Sequence, residues 1–87
     1  MDRIIIRGDL TAPYQRLYIY KNEERVDSIG VLFEDLAETT LACLEKYELT
    51  HIDLSGARAY IEGIEKTIKE ELAKKYSNSS DITFRYV

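Results

Sequence analysis

Hydrophobic residues recur at two different spacings along this chain, and the change between them marks the predicted elements. The N-terminal part alternates between apolar and polar positions, a pattern typical of β-strands that bury one face. This alternation predicts three strands, at residues 4–6, 15–21 and 25–33. The connections between them are short, so we expect an antiparallel meander.

Beyond the third strand, apolar residues recur three and four positions apart, as in amphipathic helices. The pattern predicts helices at 35–47 and 57–76 and strands at 50–55 and 81–87. Asp35 is the expected N-cap of the first helix. On the second helix, Ile64 and Ile68 lie in the apolar stripe, and Gly63 is expected to allow a neighbouring element to approach closely.

The predicted order β-β-β-α-β-α-β restricts the possible sheet topologies. Strands joined through helices run parallel with right-handed crossovers. A five-stranded mixed sheet of order 3-2-1-4-5 satisfies this rule, and both of its crossovers place their helices on the same face. We therefore expect a single α/β (α+β) domain at residues 1–87 with one open sheet face. This element order resembles the ribonuclease-H-like core shared by nucleases, junction resolvases and actin-like ATPases.

One segment also resembles a protein family. Residues 52–57 read Ile-Asp-Leu-Ser-Gly-Ala and are followed by Tyr60, Gly63 and Ile64. This stretch is similar to one in small uncharacterised phage or prophage proteins. The resemblance implies a phage-encoded protein and brings no activity, cofactor or site residue with it.

The charge and cysteine content of the chain limit its expected partners and cellular location. Twelve basic and sixteen acidic residues give a net charge of −4, which argues against nucleic acid as a partner. The single Cys43 cannot form an internal disulfide, so a cytoplasmic location is expected. No apolar run reaches the roughly 20 residues of a transmembrane helix, and no signal-peptide pattern opens the chain, so no membrane association is expected.

Asp9 and Asp53 are the candidates for catalysis. A ribonuclease-H-like nuclease holds two metal ions about 4 Å apart between carboxylates of its first and fourth strands. Asp53 lies on the predicted fourth strand, but Asp9 follows the first strand, where the matching position is Ile5 or Arg7. No C-terminal helix with a further carboxylate is predicted. His51 and Asp53 share one side of a strand, but a third metal ligand is not evident. We therefore expect no catalytic residue, no metal site and no cofactor.

The open sheet face provides the candidate interface. Alternation turns tyrosine, arginine and aliphatic side chains onto it, a composition favoured at protein interfaces. The interface candidates are Ile5, Arg16, Tyr18, Tyr20, Val26, Arg85 and Val87. We expect a non-catalytic protein-interaction domain that binds another protein or a second copy of itself as a homodimer.

Two alternatives remain open. The first is a small ribonuclease-H-like, metal-dependent nuclease or resolvase that uses Asp9 and Asp53. The second is an acidic phage-type inhibitor that binds a basic host protein. Its acidic residues would be Glu34, Asp35, Glu38, Glu45 and Glu48.

Overall fold

The computed structural model describes residues 1–75 and 81–87, and its elements follow the predicted order. They are β1 (Arg3–Arg7), β2 (Tyr14–Lys21), β3 (Glu24–Leu32), α1 (Phe33–Lys46), β4 (His51–Ser55), α2 (Arg58–Lys75) and β5 (Thr83–Tyr86). The predicted end of the second helix at Tyr76 lies outside the described residues. In the described part of the chain, neither helix is long and apolar enough to cross a membrane.

The strands form one mixed sheet in the order β3-β2-β1-β4-β5. β2 pairs antiparallel with both β1 and β3, whereas β4 pairs parallel with both β1 and β5. Short turns connect the antiparallel strands, and the two helices carry the chain back to start the parallel ones. The predicted α+β class, strand order and strand directions are therefore confirmed.

The hydrophobic core lies between one face of the sheet and both helices. Alternate strand residues such as Ile4, Ile6 and Leu54 have no exposed area, because each strand turns every second side chain toward the helices. Ile64 and Ile68 of α2 are equally buried, as the apolar stripe predicts. Across residues 1–75 and 81–87, the opposite sheet face has no helix packed on it.

The start of α1 differs from the prediction. The helix begins at Phe33, and Leu32 takes the N-cap position without a side-chain hydrogen bond. Asp35 is therefore not the N-cap but lies in the first turn of the helix. There its negative charge interacts favourably with the N–H groups that have no partner within the helix. The ring of Phe33, predicted to belong to the third strand, instead stacks on Tyr60 of α2 at a centroid distance of 5.8 Å.

Gly8 and Gly56 allow close packing where β1 and β4 end, whereas no other described element packs closely against Gly63. Gly56 has a φ of 141°, and a Cβ there would lie 2.5 Å from the carbonyl oxygen of Gly8. A Cβ on Gly8 would lie 3.0 Å from the ring of Tyr60. Gly63 has open space around the same position, because it lies on the exposed side of α2. The prediction of a close approach at Gly63 is therefore wrong.

Candidate binding surface on the open sheet face

The open face carries rows of aromatic and cationic side chains. On β2, the outward residues are Tyr14, Arg16, Tyr18 and Tyr20, because the residues that alternate with them, such as Leu17, are buried in the core. We call the outward side chains of the five strands the arginine-tyrosine face. Its charged and aromatic members are Arg3, Arg7, Tyr14, Arg16, Tyr18, Tyr20, Arg25, His51, Asp53 and Arg85.

A β-bulge in β3 turns the side chain of Arg25 onto this face. The pairing of β2 with β3 shifts after Ile19, so that Arg25 lies opposite Tyr20 and Val26 is the extra residue. The guanidinium carbon of Arg25 lies 5.5 Å from the ring centroid of Tyr18. Simple alternation along the strand points to Val26 and misses Arg25. Val26 itself is 49% exposed beside the bulge.

The other predicted interface residues lie on this face or at its margin. Ile5 and Arg16 occupy outward strand positions, and Arg85 lies beside Asp53 in the β4–β5 pairing. Val87 follows β5 and is 62% exposed. The ring of Tyr20 is covered by Arg3, whose guanidinium carbon lies 4.7 Å from the ring centroid.

Asp53 lies at the centre of the face and is only 2% exposed. Arg85 donates to both of its carboxylate oxygens, from Nε to Oδ1 at 3.1 Å and from Nη2 to Oδ2 at 2.9 Å. His51 Nε2 lies 2.9 Å from Oδ1, and Arg3 Nε lies 3.3 Å from Oδ2. Three cationic or polar side chains therefore occupy the two oxygens of one buried carboxylate.

The electrostatics of Asp53 follow from these contacts. Burial by itself would raise the pKa of Asp53, but hydrogen bonds from Arg85 and His51 outweigh burial, and the pKa is lowered. The hydrogen bond to Asp53 in turn raises the pKa of Arg85. The carboxylate of Asp53 therefore stays ionised at neutral pH and forms the centre of a charge cluster with Arg3, His51 and Arg85.

The geometry does not support the carboxylate pair of a nuclease. The residue opposite Asp53 on β1 is Ile5, which offers no ligand. Asp9 lies in the loop after β1, where its Oδ1 accepts hydrogen bonds from the amide and hydroxyl of Thr11 at 2.9 and 2.7 Å. Among the described residues, no three His, Cys, Asp or Glu side chains are grouped closely enough to hold a metal ion.

Cys43 does not offer a nucleophile on this surface. Its side chain lies in the core on α1, and burial raises the pKa of the thiol. The reactive thiolate is therefore disfavoured.

Three arginines of the face form no ion pair with a carboxylate among the described residues. Within residues 1–75 and 81–87, no carboxylate oxygen lies within 4.0 Å of the guanidinium groups of Arg7, Arg16 and Arg25. Two shallow depressions adjoin at Arg7 and Tyr18, with volumes of about 350 and 470 Å³. Arg25 lines the first and Arg16 the second. Asp9 also lines the second depression, where hydrogen bonds from Thr11 and the charge of Arg7 lower its pKa. The positive charge around Tyr18 is therefore partly offset, although none of the three arginines is held in an ion pair.

The charges of the chain are divided between its two layers. The arginine-tyrosine face has five arginines and one aspartate, a formal charge of +4, in a chain whose total is −4. The acidic residues of the inhibitor alternative lie at the other layer, exposed on α1 or just after it. They are Glu34, Asp35, Glu38, Glu45 and Glu48.

Comparison with known proteins gives no further guide. No protein-family model matches the chain, and no curated protein or solved structure shows significant similarity to it. The resemblances to ribonuclease-H-like cores and to phage proteins therefore stay expectations from the sequence.

Proposed function

We propose that this chain is a non-catalytic interaction domain that binds an anionic partner through its arginine-tyrosine face. The observation that carries the proposal is the group of unpaired arginines, Arg7, Arg16 and Arg25, around Tyr18. The guanidinium group is a planar fork that matches carboxylates and phosphates. Arginine and tyrosine are also the residue types that dominate the energetics of interfaces. An anionic partner would supply counter-charges at ion-pair distance, where the described residues place none beside these three arginines.

The arrangement around Asp53 supports binding rather than catalysis. Both carboxylate oxygens already contact Arg85, His51 or Arg3, and these contacts favour the ionised carboxylate over the protonated form. In this proposal Asp53 has a structural role. Its negative charge lies between Arg3 and Arg85 and offsets the repulsion between these two arginines.

A second copy of the chain is a less favourable partner in a symmetric arrangement. Two-fold symmetry sets the same patch against itself. The arginines around Tyr18 in one protomer would then meet the same arginines in its partner, and like charges facing each other across an interface are destabilising. The homodimer expected from the sequence stays a prediction, and the proposal favours a different, anionic partner.

Chromatography on immobilised heparin, a sulfated polyanion, tests the proposal. A chain with a net charge of −4 should not be retained unless its positive charge is local. At neutral pH and about 50 mM salt we expect the wild type to bind and the triple variant Arg7→Gln/Arg16→Gln/Arg25→Gln to flow through. Arg58→Gln is the matched control, because Arg58 lies on α2 and pairs with Glu62. Flow-through of the wild type would contradict the proposal, as would an equal effect of the control.

The absence of catalysis needs a separate assay. We expect no Mg²⁺- or Mn²⁺-dependent cleavage of branched or single-stranded DNA. Cleavage that disappears in Asp9→Asn or Asp53→Asn would instead establish the nuclease alternative. Asp9→Asn is the more informative variant, because Asp9 lies in an exposed loop and its replacement leaves the core intact.

A further inference from the structure

The aromatic residues of the face form a row along one strand. Tyr14, Tyr18 and Tyr20 all point outward from β2, over a length of about 20 Å at the usual rise of a strand. Tyr14 is 56% exposed. The outward residues on the adjoining part of β3 are Ser28 and Gly30, which are too small to cover the row from that side. Tyr14 is therefore accessible, whereas Arg25 lies over the ring of Tyr18 and Arg3 lies over the ring of Tyr20.

Arginines flank this row. Arg7 lies on β1 on one side, Arg25 lies on β3 on the other, and Arg16 stands between two tyrosines of β2 itself. The guanidinium group of Arg25 lies over the ring of Tyr18, so a cation already covers one face of this ring. The surface thus alternates planar aromatic positions with forked cations.

We infer that the anionic partner of the arginine-tyrosine face is single-stranded nucleic acid, an inference that rests on the proposed function. Proteins that bind single strands combine cations along the backbone path with aromatic rings on which unpaired bases stack. Tyr14 provides an open stacking position. Tyr18 provides a second when Arg25 turns from its ring to a phosphate, and Arg7 and Arg16 contact further phosphates. A duplex hides its bases from such rings. An acidic protein could also contact arginine and tyrosine, and the competition experiment below distinguishes it from a single strand.

Fluorescence anisotropy with labelled oligothymidylate of about 12 nucleotides tests this inference. We expect micromolar affinity at low salt and a slope of log K against log salt of about −2, since three phosphate contacts contribute roughly −0.7 each. Each single variant Arg7→Gln, Arg16→Gln or Arg25→Gln should flatten the slope by about 0.7. Arg58→Gln on α2 should leave both the affinity and the slope unchanged.

Ring variants separate stacking from charge. Tyr14→Leu and Tyr18→Leu should each weaken oligothymidylate binding roughly 5- to 150-fold with little change in the salt slope. Tyr14→Phe and Tyr18→Phe keep the ring and should bind like the wild type. Circular dichroism of each variant checks that it is folded. Tyr14 is the more reliable position for this test, because its side chain is exposed and its replacement does not disturb the core.

Competition distinguishes failure of this inference from failure of the proposed function. Unlabelled oligothymidylate should compete much better than duplex DNA or polyglutamate of equal charge. If polyglutamate competes equally and the leucine variants bind normally, the face binds acidic groups without stacking bases. That outcome overturns the nucleic-acid inference and leaves the proposed function standing. A wild type that binds neither heparin nor oligothymidylate overturns both.

Discussion

Replacing Asp53 with asparagine perturbs the charge cluster at the centre of the sheet face. The substitution keeps the size of the side chain but removes the charge that faces Arg3, His51 and Arg85. Arg3 is 19% exposed and would remain beside the sheet without its carboxylate. Removing one partner of a buried ion pair costs about 3–5 kcal/mol. Arg85 is 53% exposed and can turn toward water, so we expect a smaller loss, about 2–4 kcal/mol of unfolding free energy.

The pH dependence of this loss is an independent check on its electrostatic origin. The pKa of Asp53 is lowered in the folded protein. Its contribution to stability is therefore fully present above the pKa of an unfolded aspartate, about 4, and is lost as the pH falls through the lower folded pKa. The difference between wild type and Asp53→Asn should be present at neutral pH and should shrink as the pH falls below about 4.

Urea unfolding followed by circular dichroism measures both quantities. Asp9→Asn is the matched control, because it removes an exposed aspartate whose partner is the neighbouring Thr11, and it should change the unfolding free energy far less. A loss below about 1 kcal/mol for Asp53→Asn at neutral pH would refute the reasoning, since a buried carboxylate with three such partners cannot be that weakly coupled to the fold. A loss that increases as the pH falls below about 4 would refute it as well.

Further predictions concern α2 and self-association. Ile64→Ala should lower the unfolding free energy in urea melts by about 2–4 kcal/mol, because the side chain is fully buried; less than about 1 kcal/mol would mean that α2 is not packed as described. Gly63→Ala should raise it by about 0.5–1 kcal/mol, because a Cβ there enters open space, and a destabilised variant would contradict this. Sedimentation at low salt should show a monomer, because the arginines of two facing copies repel each other. A wild-type dimer that dissociates in Tyr18→Glu/Tyr20→Glu would instead support the homodimer expected from the sequence.

The strand order and the open face could be predicted because each element buries one regular face. Ile4 and Ile6 alternate into the core, and Ile64 and Ile68 repeat at helical spacing, so the pattern separates strands from helices. The handedness of crossovers then restricts the order of the sheet. The same alternation predicts that Tyr18 and Tyr20 lie outside the core.

The features that were missed depend on contacts between elements. A bulge is decided by the pairing of two strands, so the position of Arg25 cannot be read from β3 alone. Gly8 and Gly56 are far apart in the sequence but approach each other in the fold. The sequence predicts a close approach at Gly63 because it lies in a recognisable helix, but among the described residues no atom outside its own stretch of helix backbone lies within 4 Å of the position where its Cβ would be. Sequence spacing indicates which residues share a face, but not which residue on a facing strand lies beside them.

The charge sum and the placement of the charges lead to different expectations about a polyanionic partner. The total of −4 adds the arginines of the sheet face to the acids exposed on α1, which lie in different layers of a molecule whose shortest dimension is 20 Å. At physiological ionic strength the electrostatic screening length is about 8 Å. A polyanion on the sheet face therefore experiences the nearby arginines much more strongly than the acids on the far side of the helices. Net charge is therefore a weaker argument against a polyanionic partner here, because five of the six arginines lie on the sheet face and the acids of α1 lie in the other layer.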